Sequence, residues 1–492
     1  MRRELRPHQT RAIDLLRRSL GSGKRRPLLQ APTGFGKTML GAAIVEGALA
    51  KGNRVIFTVP ALSLVDQTVM ALWNEGIHDV GVIQGAHELT NASRPVQVAS
   101  VQTLARREIP AADVVVIDEA HRVFDLYGRW MSATGWERVP FIGLSATPWT
   151  RGLGKLFDDL LIAATTGDLI EAGYLSRFRV FAPSHPDLTG VRTVAGDYHE
   201  GDLGEAMNKT ALVADVVETW LAKGEGRPTL CFAVDRAHAR HIQTRFAEEG
   251  VSTAYVDAYT STGEREAIRK RFHSGEVKVV CNVGCLTTGV DWDVRCIILA
   301  RPTRSEMLYV QIIGRGLRTA DGKDDCLILD HSDTTLKLGF VTDIHHDRLD
   351  DGKARKSAAT ERKEPLPKEC PQCSFLKPPK VAKCPCCGFA PQRQSQIECE
   401  DGDLVELTPK GKEASREVKQ RWYSMLMKIA DERGYSGGWV AHKFRDKFKV
   451  WPRGLHFMRM EPDEEVRNYV KAGMIRWAKR QKKVAEAANV AA

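Results

Sequence analysis

Residues 31–38 read APTGFGKT and residues 118–121 read DEAH. In the first stretch Gly34 and Gly36 let the backbone curl until its N–H groups converge on phosphate oxygens. Lys37 then sets a cation against the terminal phosphates of a nucleoside triphosphate, and the Thr38 hydroxyl is a ligand for Mg2+. The following MLGAAIVEGALA is a helical pattern whose N-terminal dipole also favours the anion. Ala31 replaces the first glycine of the strict pattern. The second stretch follows VVVI, an apolar run that reads as a buried parallel strand. A carboxylate at such a strand end, Asp118, can hold magnesium, and Glu119 beside it can orient and deprotonate the attacking water. Alone, the first motif could be a turn and the second an acidic helix start. Each sits on a strand–loop–helix, and together they point to triphosphate hydrolysis.

Two further groups of residues carry chemistry. Cys370-Pro-Gln-Cys373 and Cys384-Pro-Cys-Cys387-Gly388 form two C-x-x-C units, and four thiolates so spaced suit tetrahedral Zn2+ and fold a segment too small for its own core. Cys386 is an extra thiol in the second unit; Cys387 is preferred because it preserves C-x-x-C and precedes Gly388. A redox dithiol or unliganded cysteines are the alternatives. Lys377, Lys380 and Lys383 between the units could touch phosphates. Further on, GGWVAHKFRDKFKVWPRG (437–454) interleaves aromatics with Lys443, Arg445, Lys447, Lys449 and Arg453. Such residues neutralise phosphates and stack on bases. The same stretch also reads as a small helical domain with Trp439, Phe444, Phe448 and Trp451 as core; both readings can hold at once.

The elements that must position these residues follow from the hydrophobic pattern. RPLLQA, RVIFTVP, VQVASV, DVVVIDEA and FIGLSAT alternate with helical segments, and the pattern restarts with TLCFAV, STAYVDA, VKVVCNV, RCIILAR and DCLILD. Two tandem α/β lobes with parallel sheets are expected, over 1–165 and 166–345. Residues 346–368 read as a charged linker, 369–391 as a zinc ribbon, and 412–490 as a small basic helical domain binding nucleic acid or a partner. In that domain Val418, Trp422, Met425 and Ile429, then Val466, Tyr469, Val470, Ile475 and Trp477, fall at helical spacing and read as core.

The 492 residues carry a net charge of +10. The excess is local: residues 351–492 hold 30 Lys and Arg against 19 Asp and Glu, whereas residues 1–350 net −1. A basic appendage on a neutral body suggests a hold on a polyanion; a solvated helical tail is the plainer alternative. No stretch approaches the ~20 apolar residues that span a bilayer, so no membrane partner is expected. The eleven cysteines come without a secretory signal and fit reduced thiols in a cytoplasmic protein. The basic first 20 residues are interrupted by Glu4 and Asp14, against a transit peptide.

The order of motifs resembles superfamily 2 helicases, the DExH/D-box (DEAH) group of nucleic-acid motors, over about residues 5–335. The resemblance implies two RecA-like lobes closing on ATP. Leu5-Arg6-Pro7 with Gln9 is similar to the family's adenine-reading motif, a glutamine amide matching adenine's donor and acceptor. The resemblance places Arg6, Gln9, Thr33, Gly34, Gly36, Lys37, Thr38, Gly289 and Asp291 around the nucleotide, and Lys37, Asp118, Glu119, His121, Gln311, Arg315 and Arg318 in catalysis. VPALSLVDQ (59–67) and SVQTL (100–104) are similar to strand-contacting motifs, giving Pro60, Ala61 and Thr103. SAT (145–147) matches the motif linking ATP state to strand grip. NVGCLTTGVDWD (282–293) adds Thr287 and Thr288, and QIIGRGLR (311–318) fits Q-x-x-G-R-x-x-R. In the family the two arginines reach the γ-phosphate; three residues apart on a helix, Arg315 and Arg318 are expected on one face.

The wording of the second lobe, with the cysteine-rich segment after it, looks like the bacterial RadD family and its phage-borne relatives, which implies DNA repair or recombination in a bacterial cell or from a phage. Single-stranded, duplex or branched DNA is the expected track, with a repair or replication protein as a further partner. An RNA remodeller and an ATP-gated recruiting protein without unwinding are the alternatives. A restriction-type translocation subunit is disfavoured: no nuclease cluster is evident and the chain starts at the adenine motif. No strand-separating insertion is evident between the last two motifs, so translocation or annealing without unwinding also fits.

Overall fold

The computed structural model describes residues 4–85, 87–287, 291–353, 366–390, 415–448 and 450–471. Thr288 and Gly289, Lys449, and the Ile475 and Trp477 assigned to the terminal core lie outside them.

The first lobe holds seven strands: β1 (Pro27–Gln30), β2 (Val55–Val59), β3 (Val80–Ile83), β4 (Val96–Ser100), β5 (Val114–Ile117), β6 (Phe141–Ser145) and β7 (Asp159–Ile162). They form one parallel sheet in the order β3-β4-β2-β5-β6-β1-β7. Their near-unbroken apolar runs suit strands covered on both faces. Every residue of β1, β2, β4, β5 and β6 is buried.

The second lobe repeats the plan. Strand β8 (Arg177–Phe181) leads to a hairpin of β9 (Thr193–Val194) and β10 (Asp197–Tyr198). Then come β11 (Thr229–Phe232), β12 (Thr253–Val256), β13 (Val279–Asn282), β14 (Cys296–Leu299) and β15 (Asp325–Asp330). The parallel order is β12-β13-β11-β14-β15-β8. Both sheets therefore open their strand C-termini toward loops, where ligands of such sheets bind.

Two connections depart from the pattern read in the sequence. Residues 346–353, expected as part of a linker, lie against the first lobe. The Asp350 carboxylate accepts from Gly152 N at 2.9 Å, and its carbonyl accepts from Gly154 N at 2.8 Å. Gly154 permits this close approach: a Cβ there would come 3.1 Å from that carbonyl, a tight contact. The ribbon, in turn, docks on β8. Phe375 bridges Phe181 with ring centroids 5.5 Å apart, Ala182 N donates to Ser374 O at 3.0 Å, and His185 links Asp333 (2.7 Å) to Glu369 (2.9 Å). The C-terminal end of an edge strand is thereby covered.

The chain divides after Arg393. The second unit pairs the helices Arg416–Arg433 and Gly437–Phe448 around Trp422, Met425, Leu426, Ile429, Val440, Phe444, Val466 and Val470. Val418, read as core, is 44% exposed: it lies in the first turn of its helix, before the partner helix is met.

Buried histidines make the second lobe acid-sensitive. Burial pushes His238 down to about 4 and His331 to about 3, against an unfolded value near 6.5. Both are therefore neutral in the folded chain. Their contribution is fully present above pH ~6.5 and is lost as pH falls toward 4, at up to ~1.4 kcal/mol per pH unit for each. Thermal melts at pH 7.5, 6 and 5 should show a falling Tm, and His238→Gln should flatten part of the slope; equal slopes would contradict this.

Candidate active site between the lobes

The phosphate loop forms because Gly34 and Gly36 take left-handed backbone, φ 82° and 86°, which glycine adopts without strain. Gly36 caps the helix Lys37–Leu49, so Lys37 and Thr38 begin it and its free N–H groups face the loop. Gln9 braces the loop from outside. Its Nε2 donates to Phe35 O at 3.0 Å and Gly36 O at 3.3 Å, and its Oε1 accepts from Arg6 N at 2.9 Å. The amide expected to read adenine is thus engaged with the loop in this structure.

Asp118 and Glu119 follow β5. Glu119 has φ 48°, left-handed for a non-glycine residue, a strain of the kind found at functional sites. That turn brings its Oε1 to 2.5 Å from Lys37 Nζ, both side chains mostly shielded from solvent. Burial works against ionising Glu119, but the Lys37 ammonium overrides it and holds the carboxyl below its ordinary value. Asp118 is pushed up, first by burial and then by Glu119, with Lys37 opposing. The Thr38 hydroxyl and Asp118 carboxylate are hard oxygen donors of the kind Mg2+ takes.

A polar relay then crosses the cleft. His121 Nδ1 meets Ser145 Oγ at 3.0 Å and Glu119 Oε2 at 3.4 Å, and burial lowers its pKa. From the other lobe, Gln311 Nε2 reaches His121 Nε2 at 3.4 Å and donates to Thr147 Oγ1 at 3.2 Å. Gln311 sits on the helix Glu306–Gly316, capped by Ser305. Gly314 on the same helix faces Thr33; a Cβ there would come 2.6 Å from Thr33 Oγ1.

Arg315 lies inside this closure, 8% exposed. Burial, then Arg318, lowers its pKa to about 10, with Glu119 opposing. Arg318 departs from the expected helical face. The helix ends at Gly316, where Lys323 Nζ caps the carbonyls of Gly316 and Arg318 at 2.6 Å each. Arg318 instead bridges Leu175 in extended backbone, and its guanidinium pairs with Asp291. The sequence spacing missed this because the cap, Lys323, and the pairing segment, 174–176, come from elsewhere in the chain. Tyr174 was also missed: it lies beside Arg6 and His8, and no spacing pattern marks it.

The expected strand-contacting residues follow strand C-termini: Pro60 and Ala61 after β2, Thr103 after β4, Thr287 after β13. Thr103 is partly engaged with the Ser100 hydroxyl (3.0 Å), and Thr287 Oγ1 donates to Gly284 O (2.9 Å). In the C-terminal unit Lys447 is occupied by Trp422 (4.2 Å), Tyr469 and Glu465, whereas Arg445 lies over the half-exposed Trp451 at 4.6 Å. The main-chain carbonyl of Lys443 accepts from Tyr469 at 3.3 Å.

The four sulfurs of Cys370, Cys373, Cys384 and Cys387 lie within 4.8 Å of one another, with Cys370–Cys387 at 3.7 Å and Cys373–Cys384 at 3.8 Å. A zinc tetrahedron with ~2.3 Å bonds needs sulfurs about 3.8 Å apart, so the set fits Zn2+. Cys386 is exposed and outside the cluster. Lys377, considered above for phosphate, is instead buried with its ammonium on Ala382 O at 3.1 Å. Because the ribbon covers β8, stripping the metal or Cys373→Ser should lower the Tm of the main body by ~5 °C. Metal analysis and calorimetry check this; an unchanged melt after zinc removal would contradict it.

Among the described residues no helix is long and apolar enough to cross a membrane. The first lobe matches the family model "Type III restriction enzyme, res subunit" over residues 2–150, and the second matches "Helicase conserved C-terminal domain" over 209–320. With the paired sheets and the site between them, these matches place the chain in the superfamily 2 helicases, a class of ATP-dependent NTPase enzymes. Among particular proteins, it is 30% identical over 352 residues to the "Putative ATP-dependent helicase IRC3" of Saccharomyces cerevisiae, covering 66% of this chain and 51% of that one. It is 27% identical over 373 residues to the "51.5 kDa protein" of a Lactococcus phage, covering 73% and 77%. The chain therefore spans about half the length of the yeast relative. Its fold is similar to a solved fragment of a "putative HsdR subunit of a type I restriction enzyme" from Vibrio vulnificus, with TM-score 0.53 and 21% identity over 71% of this chain and 67% of the other.

Proposed function

We propose that this chain hydrolyses ATP between its lobes and uses the cycle to move on or remodel DNA, in repair or recombination. The observation that carries the reading is the relay across the cleft, where Gln311 of the second lobe meets His121 and Thr147 of the first. That contact supports reading Glu119 as the water-activating carboxylate and Arg315 as the arginine supplied by the opposite lobe.

The loop at 33–38 holds the phosphates, and Thr38 and Asp118 hold Mg2+, which neutralises phosphate charge when bound. Phosphates draw Lys37 away from Glu119, and the freed carboxylate accepts a proton from the attacking water. Arg315, then Arg318 once released from Asp291, stabilises charge on the transferring phosphoryl group. Loss of that group removes one of the links that favour closure, so closure alternates with opening. The strand track runs over Pro60, Ala61, Thr103, Thr287 and Thr288, with Arg445 and its neighbours as an auxiliary hold. The preference for DNA, and for repair, rests on the RadD-like wording of the second lobe. Zn2+ in the ribbon is structural, and a repair or replication protein is the partner class for the ribbon or tail.

The test is steady-state ATPase of wild type and Lys37→Ala without nucleic acid and with single-stranded, duplex, forked DNA or RNA. Selective stimulation by one DNA form, lost in the variant, supports the reading. Stimulation by RNA alone would replace DNA as the track, and equal activity without nucleic acid would overturn the motor.

A further inference from the structure

The segment Tyr174-Leu175-Ser176, where the chain passes from the first lobe to the second, touches three parts of the site at once. The Tyr174 and His8 rings pack T-shaped, centroids 4.7 Å apart, with the Arg6 guanidinium 4.9 Å from the centre of the tyrosine ring. Leu175 closes over the phosphate loop: a Cβ on Gly34 would come 2.3 Å from its Cδ2. Ser176 N donates to Leu317 O at 2.7 Å, and its hydroxyl donates to Arg318 O at 3.1 Å.

We propose that Tyr174 is the base-stacking residue of the nucleotide site. This rests on the ATP site proposed above and adds a residue from the lobe crossover. Tyr174 is partly exposed while Leu175 beside it is buried, so the ring is held at its root and presents surface next to the loop. A purine is flat and polarisable, and stacks on a tyrosine face with little demand on its edge. Arg6 is exposed and covers that ring at a distance a planar base can replace. His8, whose pKa burial lowers and whose Nε2 meets Phe35 O at 3.1 Å, packs T-shaped against the same ring. With its amide braced on the loop, Gln9 leaves stacking rather than edge reading as the main hold on the base. Because Ser176 bonds the Leu317 and Arg318 carbonyls just past the end of the helix Glu306–Gly316, a base resting on Tyr174 also steadies the segment that carries Arg318.

The test is calorimetric titration of ADP and of inorganic tripolyphosphate, each with Mg2+, into wild type, Tyr174→Ala and Tyr174→Phe. Tyr174→Ala should weaken ADP about 5- to 100-fold and leave tripolyphosphate unchanged, while Tyr174→Phe stays within about twofold of wild type for both. Unchanged ADP affinity in Tyr174→Ala overturns the assignment. So does an equal loss for both ligands, which would mean that the side chain only supports the loop. Failure of the wild type to bind ADP overturns the ATP site itself, and is thereby distinguished from failure of the tyrosine.

Discussion

Glu119→Gln should lower nucleic-acid-stimulated ATP turnover by about two to four orders of magnitude, the range for losing a general base, while ADP affinity stays within a few-fold. The substitution keeps the size of the side chain and removes its ability to accept a proton. The surroundings explain why the group is poised. Lys37 lies 2.5 Å from Glu119 and holds its carboxyl ionised despite burial. An ammonium so close also suppresses basicity, so in the proposed mechanism Glu119 becomes an effective base only when phosphates draw Lys37 away. Lys37→Ala should therefore fail differently, losing affinity for the triphosphate as well as turnover. Single-turnover hydrolysis beside equilibrium nucleotide binding separates the two. Near-normal turnover in Glu119→Gln would remove it from the role.

Arg315→Ala should cost about 10³-fold or more in turnover, the scale of an arginine that stabilises the transferring phosphoryl group, with nucleotide binding little changed. Arg315 is brought through the interface by the helix Glu306–Gly316, where Gly314 lets that helix approach Thr33. Burial lowers its pKa to about 10, yet it remains a cation at neutral pH. Arg315→Lys should also be severely impaired, since a point charge cannot hold two oxygens as the planar fork does. An intact far-ultraviolet circular dichroism spectrum would confirm folding. A loss confined to KM would place the residue in ground-state binding. Arg318→Ala should cost less, because Arg318 must first leave Asp291.

Much of this molecule was legible in the order of residues. The parallel sheets follow from runs such as VVVI and RVIFTV, which have no polar face to give to water and so must be covered on both sides. The phosphate loop follows from glycines needing positive φ, and the thiolate cluster from two C-x-x-C turns that each present two sulfurs. These are local properties, fixed by a few neighbouring residues.

What the sequence left open depends on contacts between distant segments. Spacing put Arg318 on a helical face, but Lys323 ends that helix and Leu175 draws the chain into extended backbone. The stretch around Asp350 is polar and reads as linker, yet two amides of the 152–154 turn bind it. Cysteine spacing finds the ribbon but not its seat on β8, which depends on Phe375 meeting Phe181. Tyr174 has no motif, because a stacking face needs only a flat ring in the right place. The sequence by itself determined the sheets, the phosphate loop and the thiolate set, because backbone conformation and burial pattern are encoded residue by residue. Only the tertiary structure decided which charges meet across the cleft, since that depends on where helices end and on which distant segment pairs with them.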